Sequence, residues 1–210
     1  MKNIFVYIAL TSILAACAGS TEYKEPVART NKKNSVIINK SLETVWKNSV
    51  PELGKNFYVI NNIDKSSGLI NISYTGDPEK YIDCGIAHSY VKNARGERTY
   101  DFPASRAHVR FETFENGTNL LLWDRTMSLE GRMNLVFEDL GANKTQVTAN
   151  TKYVVTKSST VRDMQNRTNH YNETISFGSG QSASFPGNAQ RTVTCLPIGT
   201  FEREVLDLIN

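Results

Sequence analysis

An apolar run, Ile4 to Leu14, follows the short positive start Met1-Lys2-Asn3 and is interrupted only by Tyr7, Thr11 and Ser12. Its length suits a secretory h-region and falls short of a membrane span. Residues 18–34 then mix Gly, Pro, Lys and Asn without apolar periodicity, and they read as a flexible tether. From Ser35 the pattern becomes regular. Val36-Ile37-Ile38 reads as a short strand, and Ser41 offers an N-cap to a helix on which Leu42, Val45, Trp46, Val50 and Leu53 share a face. Gly54 is expected to stop that helix, and Pro51 to kink it or start a new turn. Phe57 to Ile60 and Leu69 to Tyr74 read as two strands around the turn Asp64-Lys65-Ser66-Ser67-Gly68.

Alternation resumes at Val109, Phe111 and Thr113. Asn116-Gly117 is a strong hairpin signal before a strand over Thr118 to Asp124. Met133, Leu135 and Phe137 alternate up to a turn near Gly141-Ala142-Asn143, and Val147, Ala149, Thr151, Tyr153 and Val155 alternate after it. Thr200 is expected to cap a closing helix with Phe201, Val205, Leu208 and Ile209 on one face. The polar stretch 157–191 breaks the pattern and reads as an irregular insertion, with a small hairpin of 174–177 and 183–185 around Gly178-Ser179-Gly180. The fold class expected is α+β: an antiparallel sheet gripping a C-terminal helix, in one domain over 35–210.

The apolar leader closes on Leu14-Ala15-Ala16-Cys17, which resembles the bacterial lipobox. In that motif the cysteine thiol takes a diacylglyceryl group, the peptide is cut before it, and the new amine is acylated. The resemblance implies a signal peptide over 1–16, a lipid anchor on Cys17, and a bacterial envelope location. Ala18 is not the Asp that marks inner-membrane retention, so the outer membrane is expected, with the domain facing the periplasm.

Composition then narrows the partners. Without residues 1–16 the chain keeps 194 residues, enough for one domain to bury a core. The 23 basic and 21 acidic side chains that remain nearly balance, which argues against a nucleic-acid footprint. With Cys17 lipidated, Cys84 and Cys195 are an even pair in an oxidising compartment, and a disulfide between them is expected.

The helix around Leu42, Val45 and Trp46, followed by Phe57-Tyr58-Val59-Ile60 and Asp64-Lys65-Ser66-Ser67-Gly68-Leu69-Ile70, resembles the opening of the helix-grip domain in BamC-type lipoproteins, accessory subunits of the outer-membrane barrel-assembly machinery. The resemblance spans about residues 35–76, and the closing helix fits the same layout. The chain departs from that family in having one such domain instead of two, the cysteine pair, and the 157–191 stretch. Tyr81-Ile82-Asp83-Cys84-Gly85 with Thr194-Cys195-Leu196-Pro197-Ile198-Gly199 also looks like a paired signature of envelope lipoproteins.

Catalytic groupings are sparse. Cys84 with His88 is a thiol and base at a spacing that does not aim one at the other, and a disulfide removes the nucleophile. Cys84, His88, His108 and Cys195 lack the short spacings of a zinc site, so no metal or cofactor is expected. Gly178-Ser179-Gly180 lacks the lysine of a phosphate loop. Arg95, Arg98 and Arg106 with Tyr100 and Phe102 form either an anion-contacting lip or a solvated loop. Two functions follow. The first is a non-enzymatic, lipid-anchored interaction or accessory module docking on envelope proteins; the alternative is a periplasmic carrier of a small apolar ligand, with Trp46, Phe57, Phe111, Leu135 and Tyr153 lining a cavity between sheet and helix.

Overall fold

A computed structural model describes residues 18–27, 33–56, 58–115, 119–186 and 192–210. Cys17, the leader 1–16, Phe57 and the Asn116-Gly117 turn lie outside the described residues. The fold is mostly antiparallel β-sheet with a few short helices, broadly α+β. In chain order the strands and helices are β1 (Ala18–Lys24), β2 (Ser35–Ile38), α1 (Leu42–Lys55), β3 (Val59–Asp64), β4 (Leu69–Gly76), α2 (Pro78–Tyr81), β5 (Ile82–Asp83), β6 (Ile86–Asn93), β7 (Gly96–Pro103), β8 (His108–Glu115), β9 (Asn119–Gly141), β10 (Lys144–Asp163), β11 (Thr168–Gly178), β12 (Ala183–Ser184), β13 (Thr194–Pro197) and α3 (Thr200–Ile209).

The spine is the hairpin of β9 and β10, 23 and 20 residues long and paired almost throughout. Each long strand shares its outer edge between two partners. β9 takes β8 along 119–126 and β4 along 129–136; β10 takes β2 along 145–148 and β11 along 152–162. With β3 beside β4, these strands make the seven-stranded sheet.

Period-two alternation decides which face is buried. Met127, Leu129, Gly131, Met133, Leu135 and Phe137 of β9, with Val147, Ala149, Tyr153 and Val155 of β10, point to one inner face. Helices α1 and α3 lie against the half of that face nearer the Gly141 turn. α1 presents Val45, Trp46, Ser49 and Leu53, and the Trp46 ring stands edge-on to Phe137 at 5.1 Å. Pro51 does not end α1, which runs on to Lys55; it sits on the exposed side, where water can serve the carbonyl its missing N–H would have bonded. α3 inserts Phe201 among Tyr58, Tyr74 and Tyr81. Gly131 makes room for that ring, because a Cβ there would stand 2.7 Å from Phe201 Cε1. Glu202, 3% exposed, accepts hydrogen bonds from Tyr153 Oη within β10 and from Ser179 Oγ just after β11, each at 2.7 Å, so both oxygens of the buried carboxyl have a partner.

At the other half of the spine the small sheet β1-β6-β7 packs along β8. Phe102 of β7 meets Phe111, which stacks on Trp123, closing a second, smaller cluster.

Three expectations need correction. Residues 18–24 are not tether: they form β1, in register with β6 from Ala18↔Lys92 to Lys24↔Ile86. A polar segment joins a sheet edge through its main-chain groups, and Tyr23 Oη adds side-chain bonds to Cys84 O at 3.0 Å and to Thr194 N at 2.9 Å. The stretch 157–191 is not an irregular insertion over its first half: 157–163 completes β10, 168–178 is β11, and the turn between them is fixed by Asp163 Oδ1, which accepts from the backbone N–H of Gln165 and Arg167. Residues 174–177 pair with β10, and 183–184 pair with β13, not with each other. Thr200 is the first residue of α3 and not its cap; Gly199, at φ 69°, holds the cap position without a side-chain bond.

Candidate functional site

Alternation that buries odd-numbered residues of β9 and β10 turns the even-numbered ones outward. The residues of that outer face are short and polar. Asn62, Asn71, Asn134 and Asn150 occupy one cross-strand row over β3, β4, β9 and β10. Asn61 Nδ2 donates to Asn71 Oδ1 at 2.9 Å, Asn71 Nδ2 to Asn134 Oδ1 at 2.6 Å, and Asn34 Nδ2 to Asn150 Oδ1 at 3.1 Å. Such ladders tie neighbouring strands while leaving amide groups at the surface.

Toward the far end of the spine the row composition changes to charge. Register sets Arg110, Asp124, Thr160 and His170 in line across β8 to β11, flanked by the row His108, Thr126, Ser158, Asn172 and the row Glu112, Leu122, Arg162, Thr168. Asp124 is the hub. One carboxylate oxygen lies 2.8 Å from His108 Nε2 and the other accepts from Arg110 Nε at 2.7 Å, and these two donors, His108 first, hold its carboxyl below the ordinary aspartate value. His170 Nδ1 lies 3.0 Å from Thr160 Oγ1, and Ser158 Oγ donates to Asn172 Oδ1 at 3.0 Å.

Two open cavities meet here. One of about 470 Å³ is lined by Tyr100, Arg110, Glu112, Leu122, Arg162 and Thr168 among others; its neighbour of about 340 Å³ adds Ser158, His170, Tyr171 and Asn172, and Asp124 and Thr160 border both. Each is within the size range of a small-molecule site, but both are open and polar. Arg162 is exposed and has no ion-pair partner among the described residues. The groove offers donors and acceptors in fixed rows, and Arg162 beside them as a cation without an ion pair among the described residues, which is the chemistry of recognition.

Beneath the groove, on the inner face, Arg125 is only 6% exposed, and its Nε and Nη2 have no hydrogen-bond partner among the described residues. The guanidinium lies 5.2 Å from the Phe102 ring. Burial pulls its pKa down to about 10.

The residues singled out from sequence are dispersed. Cys84 and Cys195 form the disulfide, which joins the β5–β6 connection to β13, the strand that feeds α3. Cys84 therefore has no thiol to offer His88, whose Nδ1 lies 2.6 Å from Asp101 Oδ1 on β7. His108 belongs to the Asp124 cluster, and among the described residues no three His, Cys, Asp or Glu gather as a metal site. The three arginines do not form one lip: Arg95 sits in the β6–β7 turn, Arg106 in the β7–β8 connection donates to Glu79 at 3.3 Å, and Arg98 donates to Glu112 from within β7, while Phe102 is buried. Gly178-Ser179-Gly180 closes β11 in a turn, with Ser179 N donating to Thr151 O. Trp46, Leu135 and Tyr153 belong to the core under the helices, whereas Phe111 lies in the far cluster.

No helix among the described residues is long and apolar enough to cross a membrane. Comparison of the chain with protein-family models, with curated proteins and with solved structures finds no match.

Proposed function

We propose that this chain is a lipid-anchored, non-enzymatic envelope lipoprotein that serves as an interaction or accessory module in an envelope protein assembly, held to the outer membrane through Cys17 and facing the periplasm. The observation that carries the reading is the outer face of the seven-stranded sheet, where Asn, Ser and Thr rows run into the Arg110–Asp124–His108 cluster. A face of this kind presents prearranged hydrogen-bonding groups at little ordering cost to a partner. The sheet with α3 laid across it is, in this proposal, a variant of the helix-grip layout of BamC-type lipoproteins, supported by the seat of Phe201 over Gly131 and the Tyr153–Glu202 bond. The carrier alternative draws no support from the sheet–helix interface, where Trp46, Phe137, Tyr58, Tyr74, Tyr81 and Phe201 fill the space with rings 5.1 to 6.0 Å apart.

Position-specific photocrosslinking in intact envelopes tests the proposal. A crosslinking residue at Asn150 or Asn172, on the open face, is expected to yield the same protein adduct from both sites, and one at Lys47, on the exposed side of α1, is expected to yield none. Adducts absent from the open face, or equal from Lys47, would overturn it.

A further inference from the structure

Strand β1 starts at Ala18, the residue immediately after Cys17, and every one of its seven residues is in register with β6. Ala18 pairs with Lys92, one residue before β6 ends. Ala18 is already part of the folded sheet, so the place of Ala18 fixes which end of the protein meets a lipid carried by the residue before it.

Register identifies that end. Gly19 stands against Phe114, near the end of β8, and Ser89 Oγ bonds Glu112 O, so β6 and β8 run level. Thr113 pairs with Leu121, and Leu121 with Asp163, where β10 turns into β11. The β6–β7 turn and the β10–β11 turn therefore lie at the same end of the strands as Ala18. The Asp64–Gly68 turn is at the opposite end, because Leu69 pairs with Val136, 15 positions along β9 from Leu121 and so about 50 Å away at 3.3 Å per residue.

The chemistry of the Ala18 end suits a phospholipid surface. Lys92 is paired with Glu97, Arg98 with Glu112 and Arg167 with Asp163. Arg95, exposed in its turn, and Arg162 are left without ion-pair partners among the described residues. The β10–β11 turn presents Met164, 52% exposed, an apolar tip among the described residues. Cations flanking an exposed apolar side chain are what the headgroup region rewards.

We propose that the end bearing the 93–96 and 163–168 turns rests on the phospholipid headgroups of the membrane that holds the Cys17 anchor, with Met164 at the acyl boundary and Arg95 and Arg162 on lipid phosphates. The domain then stands upright, with α1 and α3 in the half away from the membrane and the Asp124 groove next to it. This rests on the anchored reading of Cys17.

The test uses the full lipidated protein in vesicles of phosphatidylethanolamine and phosphatidylglycerol that carry a spin label near the headgroup. A fluorophore is attached through Met164→Cys, or through Ser66→Cys at the opposite end, and the mass of the N-terminal peptide is read on the same samples. Loss of most of the emission at position 164 and almost none at 66, with the loss at 164 diminished by Arg95→Glu combined with Arg162→Glu, is the expected result. A lipidated Cys17 with equal quenching at 164 and 66 overturns the orientation alone. An unmodified Cys17 overturns the anchored reading and this inference together.

Discussion

Replacing both Cys84 and Cys195 with alanine removes a crosslink between residues 111 apart in sequence. For a loop of this length the chain-entropy relation gives about 4.7 kcal/mol of denatured-state constraint at 25 °C. Alanine is preferred to serine because both positions are 0% exposed, and a hydroxyl there would need a partner. Stability should fall by roughly 4–5 kcal/mol, which for a domain of this size lowers Tm by roughly 10–20 °C. Urea unfolding followed through Trp46 under α1 and Trp123 in the far cluster measures the loss with probes in both halves. The urea dependence should also steepen, since an unlinked denatured chain exposes more surface. A fall below about 1 kcal/mol with an unchanged slope would refute the reasoning, because the denatured chain would then be no freer without the bridge.

Gly131→Val puts a branched side chain where a Cβ alone would be 2.7 Å from Phe201, so it should cost about 1–3 kcal/mol and loosen α3, seen as faster amide exchange in 200–209. Arg125→Met removes a buried cation with two orphan donors and should stabilise the protein by about 1–3 kcal/mol in chemical denaturation. Because the folded-state pKa of Arg125 is depressed to about 10, the cost of its charge is present below that pH and eases above it, so the gap between variant and parent should narrow as pH rises past 10. Asp64 is held down at about 2 by the Ser66 and Ser67 side-chain hydroxyls and backbone N–H groups of its turn; the turn's contribution to stability should be intact above pH 4 and vanish as pH falls through 2, read from the Asp64 carboxyl shift by NMR and absent in Asp64→Asn.

The elements legible in the sequence were those whose faces are apolar. Val45, Trp46 and Leu53 on α1, Phe201 and Val205 on α3, and the alternating Met133–Leu135–Phe137 and Val147–Ala149–Tyr153 rows each carry their period in hydrophobic residues. Asp64 to Gly68 was legible as a turn because each residue's chemistry is local. β1 was not, since its pairing comes from main-chain groups that every residue has, with Tyr23 alone reaching inward. β11 was hidden for a related reason: only Ile175 and Phe177 of its eleven residues are buried, so Thr, Asn and Ser read as loop although they suit an exposed strand face. The Asp124 cluster draws His108, Arg110, Asp124, Thr160 and His170 from four strands, and only their register makes them neighbours. The disulfide was reachable because two cysteines remain once Cys17 is assigned to lipid.

Mass spectrometry of the N-terminal peptide of the protein extracted from membranes tests the central claim most directly. The account predicts a chain beginning at Cys17, with a diacylglyceryl thioether on its sulfur and an acyl group on its amine. A peptide that retains residues 1–16, or a Cys17 with an alkylatable thiol, would contradict it.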